Sequence, residues 1–370
     1  QLFGVAALAC LRFPTLRRTM GLSHVALLSL AAGAGAFSFL SIGDWGDSEA
    51  KKVAPEMGKY TPEFVLALGD NFYDDGVSSV DDPQFKNKFE DTFTAPSLQV
   101  PWYVCSGNHD YYGGSKGIEA EIQYTKKSER WQYPDFYFSK EVVAKDGTKL
   151  LVVSIDTWRL NGGDTYVKQD LATGRLALRN ASRIRHELRV GKIEKALHDV
   201  LLRQFEEERP EAPLTVRGDQ AQLSWIESTL AASSADWKIV IGHFPVHSAT
   251  TGEHGDTASL IKQLQPILEQ QKVDLYLNGH DHVLQHIQLN GVNYFGSGAG
   301  ARSHSGMNTR YDGLKGYAAG QYGFMLHEGS RTALTTTFVQ PGGAQPYSYT
   351  IRKAAPGPLQ RLVESAGRWF

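Results

Sequence analysis

Residues 37–46, Phe37-Ser-Phe-Leu-Ser-Ile-Gly-Asp-Trp-Gly46, are a short apolar run that ends in a glycine-rich polar turn. The same pattern recurs four more times. The later runs are 64–68 before Gly69-Asp70-Asn71-Phe72-Tyr73, 102–105 before Gly107-Asn108-His109-Asp110, 237–241 before Gly242-His243, and 273–277 before Asn278-Gly279-His280-Asp281-His282. Buried strands of α/β proteins are continuous apolar runs, and chemistry gathers at their carboxyl ends. The pattern therefore predicts five strands that deliver polar residues to one edge.

The segments between these strands have the composition of helices and hairpins. The sequence predicts helices over residues 48–59, 82–93, 117–128, 220–232 and 257–271. It predicts hairpins over 136–155 and 283–295, because Asp146-Gly147 and Asn290-Gly291 are strong turn signals. Strand and turn alternate again over 322–352. This order predicts one mixed α/β domain over residues 37–353, followed by a C-terminal tail over 354–370.

Residues 161–216 interrupt this order with a densely charged segment. Its apolar residues recur at helical spacing: Ile184, Leu188, Ile193, Leu197, Leu201 and Phe205. We expect a charged helical insertion that packs on the surface of the domain; a lid or a partner-docking element is the alternative. Asn180-Ala181-Ser182 is an acceptor sequence for N-glycosylation, which suits a surface loop of a secreted glycoprotein.

Residues 1–36 precede the domain and have the pattern of a targeting segment. After Arg17, Arg18 and Met20, an apolar run is followed by small residues up to Ala36. A basic flank, an apolar run and a small-residue site are typical of a cleaved secretory signal. Residues 25–40 contain glycine and are fewer than the ~20 that a membrane span needs. We therefore expect upstream sequence plus a signal peptide, a secreted or lysosomal/vacuolar protein, and no stable membrane insertion.

The composition excludes several classes of protein. Of the 370 residues, 41% are hydrophobic, which is enough for a buried core. The 38 basic and 40 acidic residues give a formal charge of −2. Nucleic-acid-binding domains usually carry a strong positive charge, and this chain does not. With only Cys10 and Cys105, the chain can form neither a disulfide scaffold nor a cysteine-rich zinc site.

The strand-end turns supply seven candidate metal ligands. These are oxygen and nitrogen donors without a thiol: Asp44, Asp70, Tyr73, Asn108, His243, His280 and His282. Their number exceeds the four ligands of one closed zinc site. It suits two metal ions that share a carboxylate and together stabilise the attacking and leaving oxygens of an in-line displacement at phosphorus. Each turn alone is a weak signal, since such residues also cap strands and helices.

The five turns read, in order, GDWG, GDNFY, GNHD, GHFPV and GHDH. This series resembles the metallophosphoesterase superfamily, and within it the purple acid phosphatases of the small, tartrate-resistant type. The resemblance runs over about residues 37–300, apart from the charged segment. It implies an α/β fold, a single-domain sandwich of two mixed β-sheets flanked by helices (αββα). It also implies an acid phosphatase that hydrolyses phosphate monoesters.

The resemblance divides the ligands between two ions. Asp44, Tyr73 and His282 would hold Fe³⁺, Asp70 would bridge, and Asn108, His243 and His280 would hold a divalent ion, which is Fe²⁺, Zn²⁺ or Mn²⁺. Most of the superfamily has a histidine ligand at the position of Gly46, and here Tyr73 replaces it. A phenolate is a hard, anionic oxygen donor, which favours trivalent iron.

The resemblance also supplies a mechanism, in which a hydroxide held by the ferric ion attacks phosphorus in line. His109 and His254 match family histidines near the leaving group, so one of them would be the general acid. Relative to the spacing of the family motif, two additional residues precede His254. His247 has no role that the family supplies, and we expect it to be solvated. The expected substrates are small phosphate monoesters or phosphoproteins, and the expected state is a monomer.

Three alternatives stay open. The protein could be a phosphodiesterase or nucleotide hydrolase of the same superfamily. It could instead be an iron-binding or iron-carrying protein with incidental phosphatase activity. Such a carrier needs the seven ligands but not His109 or His254, so the presence of both favours an enzyme. An interaction module built around the charged segment has no motif to support it.

Overall fold

A computed structural model describes residues 37–112, 114–162, 191, 194–197, 219–252 and 254–354. Its strands are β1 (Phe37–Ile42), β2 (Phe64–Leu68), β3 (Trp102–Cys105), β4 (Trp131–Gln132), β5 (Phe138–Val143), β6 (Lys149–Ser154), β7 (Trp237–Ile241), β8 (Leu275–Asn278), β9 (Leu284–Leu289), β10 (Val292–Ser297), β11 (Leu314–Ala318), β12 (Phe324–Gly329), β13 (Ala333–Val339) and β14 (Tyr347–Arg352). The five apolar runs form β1, β2, β3, β7 and β8, which confirms the predicted strands.

These strands form two sheets of seven strands each within the described residues. The orders are β14-β13-β12-β1-β2-β3-β4 and β11-β9-β10-β8-β7-β6-β5. In the first sheet β1, β2 and β3 are parallel, and in the second β6, β7 and β8 are parallel. The motif turns of each sheet therefore lie at one end of that sheet. The pairs β5–β6 and β9–β10 are antiparallel, which confirms both predicted hairpins.

The helices are α1 (Ala54–Met57), α2 (Asn108–Tyr112), α3 (Ser115–Tyr124), α4 (Thr157–Leu160), α5 (Gln220–Ala232), α6 (Ala258–Gln263) and α7 (Gln265–Gln270). Two 3₁₀ turns, Ser48–Lys52 and Pro96–Leu98, a π-helical segment, Phe85–Glu90, and residues 195–197 are also helical.

Of the five predicted helices, the one over 220–232 is confirmed. The predicted helices over 48–59 and 257–271 are each two shorter pieces, and the second pieces begin next to Pro55 and Pro266. Proline lacks the N–H that a continuous helix would bond to the carbonyl four residues earlier, so each helix restarts there. Within the predicted 82–93, residues 83–90 are helical, of which Phe85–Glu90 are π-helical, and the helix predicted over 117–128 lies earlier, as α3.

Three apolar clusters separate the layers of the domain. Phe39 of the first sheet and Ile239 of the second belong to one cluster, which therefore lies between the sheets. A second cluster, rich in aromatic rings, covers the other face of the first sheet. The third joins the second sheet to α5 and α6. Helices thus cover both outer faces, and the predicted αββα sandwich is confirmed.

Trp45 ties the first motif to the core. Its ring is fully buried and lies 5.5, 6.1 and 6.2 Å from the rings of Phe93, Trp102 and Trp131. Truncating such a buried aromatic residue to alanine costs about 3–5 kcal/mol. The residue after Asp44 therefore anchors the turn that presents Asp44.

Several predictions fall on residues outside the described part of the chain. They concern the targeting segment over 1–36, nearly all of the tail over 354–370, and most of the insertion over 161–216, including Asn180. The described residues belong to one compact unit. Within them, no helix has the length and apolar character needed to cross a membrane. The exact domain boundaries stay a prediction.

Candidate metal centre

The motif turns of the two sheets meet at one end of the sandwich. The Asp44 N–H donates to the carbonyl of Gly69 (3.0 Å), which joins the turns after β1 and β2. The Gly279 N–H donates to the carbonyl of His243 (3.1 Å), which joins the turns after β7 and β8. The His280 N–H then donates to Asp44 Oδ2 (2.8 Å), so a direct hydrogen bond links the second sheet to the first.

Asp44, Tyr73 and His282 form one group of donors. The Tyr73 hydroxyl donates to Asp44 Oδ1 (2.9 Å). His282 Nε2 lies 3.3 Å from Tyr73 Oη and 3.4 Å from Asp44 Oδ1. All three side chains are buried. Two oxygens and one imidazole nitrogen therefore face one another without solvent.

Asn108, His243 and His280 form a second group. His243 Nε2 lies 3.1 Å from Asn108 Oδ1 and 3.3 Å from His280 Nδ1. His243 Nδ1 lies 2.8 Å from the carbonyl oxygen of Leu68. Because a carbonyl only accepts, Nδ1 carries the proton, and Nε2 of a neutral His243 presents a lone pair to the other donors.

Asp70 lies between the two groups. Its Oδ1 is 3.3 Å from His243 Nε2 and accepts the backbone N–H of His109 (2.9 Å). One carboxylate oxygen each from Asp44 and Asp70 and a ring nitrogen of His243 lie within 4.8 Å of one another. The structure therefore brings all seven candidate ligands of the sequence into one cluster.

Three of these residues have a strained backbone. Asp44, Asp70 and His280 have φ angles of 57°, 52° and 70°, in the left-handed region. This region costs an L-residue other than glycine on the order of 1 kcal/mol, and such strain concentrates at functional sites. The turns present these side chains at the expense of local stability.

Gly46 has no room for a side chain. A Cβ there would lie 2.4 Å from the carbonyl carbon of Asn71. The Gly46 N–H donates to the Asp70 carbonyl, and the Tyr73 N–H donates to the Gly46 carbonyl, both at 3.0 Å. The backbone of the second motif thus fills the space that a histidine would need. Tyr73 reaches Asp44 from the same segment instead.

Tyr112 orients Asn108, and sequence reasoning missed it. The Asn108 Nδ2 group donates to Tyr112 Oη (2.9 Å), which turns Oδ1 towards His243. The two residues lie four positions apart on α2, where side chains are neighbours. That spacing is the signal that could have identified Tyr112.

Asp110 holds two motif turns together, and it was also missed. Its buried carboxylate accepts backbone N–H groups of Gly107 (2.7 Å), Phe72 (3.0 Å) and Asn71 (3.2 Å). Burial, and then the charge of Asp70, raise the pKa of Asp110 to about 7. The last residue of the third motif therefore fixes the second motif, and with it Asp70 and Tyr73.

The two candidate acid histidines lie beside different groups. The His109 ring is buried and lies 4.3 Å from the Tyr73 ring. His109 Nδ1 is 2.6 Å from the Asp74 carbonyl oxygen, while Nε2 is 3.9 Å from Asp70 Oδ2. His254 is exposed, and its ring stacks on His280 at 3.9 Å. His109 therefore contacts the donor group of Asp44, Tyr73 and His282, and His254 contacts the donor group of Asn108, His243 and His280.

His247 corrects an expectation from the sequence. It is 9% exposed rather than solvated. Its Nδ1 lies 3.1 Å from Tyr311 Oη, and its Nε2 lies 3.0 Å from Gln265 Oε1. The prediction failed because those partners follow 64 and 18 positions later in the chain.

Burial and mutual charge shift the pKa values of three members of the cluster. Burial raises the pKa of Tyr73 well above its usual value, and the carboxylates of Asp44 and Asp70 raise it further. Burial and the neighbouring histidines lower the pKa of His280. Burial opposes protonation of His243, yet Asp70 and Asp44 outweigh it and raise its pKa.

Buried carboxylates are normally paired with a cation or a metal. Arg302, which lies over the Tyr73 ring, pairs with Asp47 and Asp74 rather than with Asp44 or Asp70. Carboxylate, phenol, amide and imidazole donors without sulfur fit hard and borderline metal ions. The residues present therefore fit a metal centre.

Comparisons with known proteins agree with this site. The family model for calcineurin-like phosphoesterases matches residues 37–284. Tartrate-resistant acid phosphatase type 5 of Homo sapiens is 33% identical over 360 residues, which are 90% of this chain and 97% of that protein. Purple acid phosphatase 4 of Arabidopsis thaliana is 33% identical over 337 residues, with 86% and 84% covered.

Among solved structures, GAP50, described as the anchor in the inner membrane complex of Plasmodium, matches with a TM-score of 0.62. It is 21% identical and covers 90% of this chain and 94% of that one, which shows a shared fold alone. The family match spans all five motifs, and membership implies a dinuclear metal centre that acts on phosphate esters. This chain belongs to the calcineurin-like phosphoesterase family, among whose members the tartrate-resistant and purple acid phosphatases are similar to it over most of its length.

Proposed function

We propose that this protein is an acid phosphatase that hydrolyses phosphate monoesters at a centre of one ferric and one divalent ion. Its family and its relatives support acid phosphatase activity. The observation that carries the proposal is the arrangement of the seven donors. They form two groups of three with Asp70 between them, which suits two neighbouring ions that share a carboxylate.

In this proposal Asp44, Tyr73 and His282 hold Fe³⁺, and Asn108, His243 and His280 hold Fe²⁺, Zn²⁺ or Mn²⁺. Asp70 bridges the two ions. The hydrogen bond between Tyr73 and Asp44 supports the first group, because two hard oxygen donors already meet there. The Nδ1–H bond of His243 to Leu68 supports the second, because it leaves Nε2 as the ligating atom.

When bound, the two ions supply positive charge for the phosphate oxygens and a water acidic enough to attack phosphorus at low pH. The side chains then handle the proton of the leaving group. His109 donates from Nδ1 to the Asp74 carbonyl, so only Nε2 can deliver a proton towards the site. His254 stacks on His280 from the exposed side and is the other candidate acid.

The substrates in this proposal are small phosphate monoesters or phosphoproteins, and the protein works as a monomer. It is secreted or delivered to a lysosome or vacuole, on the evidence of the signal-like residues 1–36. The proposal includes no nucleic-acid partner and no stable membrane insertion. The balanced charge of −2 supports the exclusion of nucleic acid.

Metal analysis, a visible spectrum and turnover of matched aryl phosphate monoesters and diesters test the function on the purified full chain. We expect iron, a purple or pink colour and faster hydrolysis of the monoester in acid. Faster hydrolysis of the diester would favour the phosphodiesterase alternative. A colourless, iron-free preparation with full monoester activity would remove the ferric assignment.

Tyr73→Phe tests the ligand that gives the colour. The variant keeps the ring and loses only the phenolate oxygen, so we expect the colour to disappear while part of the activity stays. Tyr103→Phe is the matched control, because Tyr103 is also buried but lies on β3, away from the donor groups. A Tyr73→Phe protein that stays purple would contradict the assignment.

A further inference from the structure

Arg302 lies against the ring of Tyr73. Its guanidinium carbon is 3.8 Å from the centre of the ring. The segment before it is fixed to the first motif, because the N–H groups of Gly300 and Ala301 donate to the carbonyls of Gly43 (3.1 Å) and Asp44 (2.9 Å). The position of Arg302 is therefore set by the same turn that presents Asp44.

Two carboxylates hold the guanidinium in this place. Arg302 Nη2 donates to Asp74 Oδ1 (3.0 Å) and to Asp47 Oδ2 (3.2 Å). Asp47 follows the first motif directly, and Asp74 follows Tyr73 directly. Both carboxylates therefore belong to the segments that carry Asp44 and Tyr73. They turn the cation onto the ring of Tyr73 rather than towards solvent.

The rest of Tyr73 is also held. Lys88 Nζ donates to the Tyr73 carbonyl, and the next carbonyl, that of Asp74, accepts from His109. The Arg302 side chain is only 21% exposed. The Tyr73 ring is buried, whereas the carboxylates of Asp47 and Asp74 are 38% and 41% exposed. A cation over a desolvated aromatic face contributes more than an ion pair with an exposed carboxylate. The contact with the ring is therefore the electrostatically significant one.

We propose that Arg302 is a positioning residue that sets the electronic character of the Tyr73 ligand. The inference rests on the proposed function, in which Tyr73 binds ferric iron as a phenolate. A fixed positive charge on the ring stabilises the electron-rich phenolate more than any state in which the ring has lost electron density. Arg302 thereby weakens electron donation from Tyr73 to the metal.

Two consequences follow for the loaded protein. Visible light moves electron density from the ring to the iron, and the cation on the ring opposes this loss. The cation lies directly on the ring, so its removal raises the energy of the ring electrons more than that of the iron acceptor state. Without Arg302 the transition therefore needs less energy, and the visible band moves to longer wavelength. Removing a positive charge near the iron also disfavours the gain of an electron, so the reduction potential falls. If Arg302 had only a structural role, its substitution would change neither the wavelength of the visible band nor the reduction potential while iron stays bound.

The experiment compares the wild-type full chain with Arg302→Gln, Arg302→Lys and the control Arg310→Gln, whose arginine is exposed on the surface. Iron content, the visible spectrum and the reduction potential are measured for each. We expect Arg302→Gln to keep its iron, to absorb at longer wavelength and to have a lower potential. Arg302→Lys keeps the charge and should move both values less. Arg310→Gln should match the wild type.

An unchanged band and potential in iron-loaded Arg302→Gln would overturn the inference while leaving the proposed function in place. A colourless wild type would overturn both. If Arg302→Gln does not fold, Arg302→Met gives the same test, because it keeps an apolar stem against the ring and removes the charge. A wild-type band in that variant would again overturn the inference.

Discussion

Two regions of this molecule contain buried histidines, and the atoms that face their ring nitrogens are of different chemical types. His327 lies inside the sandwich, and hydroxyls contact both nitrogens: Ser41 Oγ at Nε2 and Thr336 Oγ1 at Nδ1, each at 2.9 Å. In the metal centre, His243 Nε2 faces Asn108 Oδ1 and His280 Nδ1 instead. Both His327 and His243 have zero exposure.

The difference shows what distinguishes a candidate metal ligand from other buried histidines. A hydroxyl can donate or accept, so it satisfies either nitrogen of a neutral imidazole. An amide oxygen and a carboxylate can only accept. Both Asn108 Oδ1 and Asp70 Oδ1 face His243 Nε2, so a proton or a cation must lie between them. Burial is common to both regions, and only the chemistry of the facing atoms separates them.

The largest expected effect is that of Asp70→Ala, which should disable the metal centre and leave the sandwich intact. One carboxylate lies between the two donor groups, so its loss removes a ligand from both proposed ions. We expect activity below detection and a lower content of both metals, measured by elemental analysis. Asp135→Ala, at an exposed acidic residue, is the control. Full metal content with near-normal turnover would show that Asp70 is not the bridge.

The next effect separates the two histidines beside the ligands. If His109 is the acid, His109→Ala should slow esters of poor leaving groups by on the order of 10²-fold more than aryl esters, since only the former need protonation. His254→Ala is the paired variant and gives the same pattern if His254 is the acid instead. An equal loss on both ester types in each variant would show that neither histidine transfers the proton.

Much of the fold and the positions of the candidate ligands could be predicted because their signals are local. Asp44, Asp70 and His243 follow an apolar strand within two residues, so the strand pattern alone locates them. The helix breaks beside Pro55 and Pro266 were equally local and were missed by treating apolar periodicity as continuous.

The supporting residues could not be predicted in the same way. Arg302 is 228 positions from Asp74, and no spacing rule connects them. His247 pairs with Tyr311 across the folded chain. Such contacts depend on how the two sheets pack, and short sequence motifs carry no information about that packing. The positions of the candidate ligands are therefore predictable from sequence, while most of the residues that orient them are not.

A third, smaller effect concerns the sandwich region. Burial lowers the pKa of His327 to about 3 from the usual 6.5. The unfolded chain takes up a proton as the pH falls below about 6.5, and the folded chain does not, so stability falls with the pH. Between pH 7 and pH 5 this one histidine should cost about 2 kcal/mol of unfolding free energy.

His327→Gln should remove that part of the pH dependence, whatever its absolute stability, without changing the metal content. Urea unfolding at pH 7 and pH 5 measures the difference for each protein. His304→Gln, at a histidine that is only partly buried, is the control. If His327→Gln and the wild type lose the same free energy between the two pH values, the neutral His327 inferred here is wrong.

The smallest effect tests whether one donor group can be weakened without the other. Tyr112→Phe removes the hydroxyl that holds Asn108 Nδ2 and keeps the ring, so the Asn108 amide can turn its Oδ1 away from His243. Loss of such an orienting partner lowers metal affinity by roughly 10-fold. We expect the divalent ion to bind that much more weakly in a titration of the metal-depleted protein. The visible band should be unchanged, because the Tyr112 hydroxyl accepts from Asn108, which belongs to the donor group proposed for the divalent ion. Tyr103→Phe again supplies a buried control outside the site.

A loss of colour with unchanged affinity for the divalent ion would mean that Tyr112 supports the donor group of Asp44, Tyr73 and His282 instead. The proposed division of the centre into two independently oriented donor groups would then be wrong.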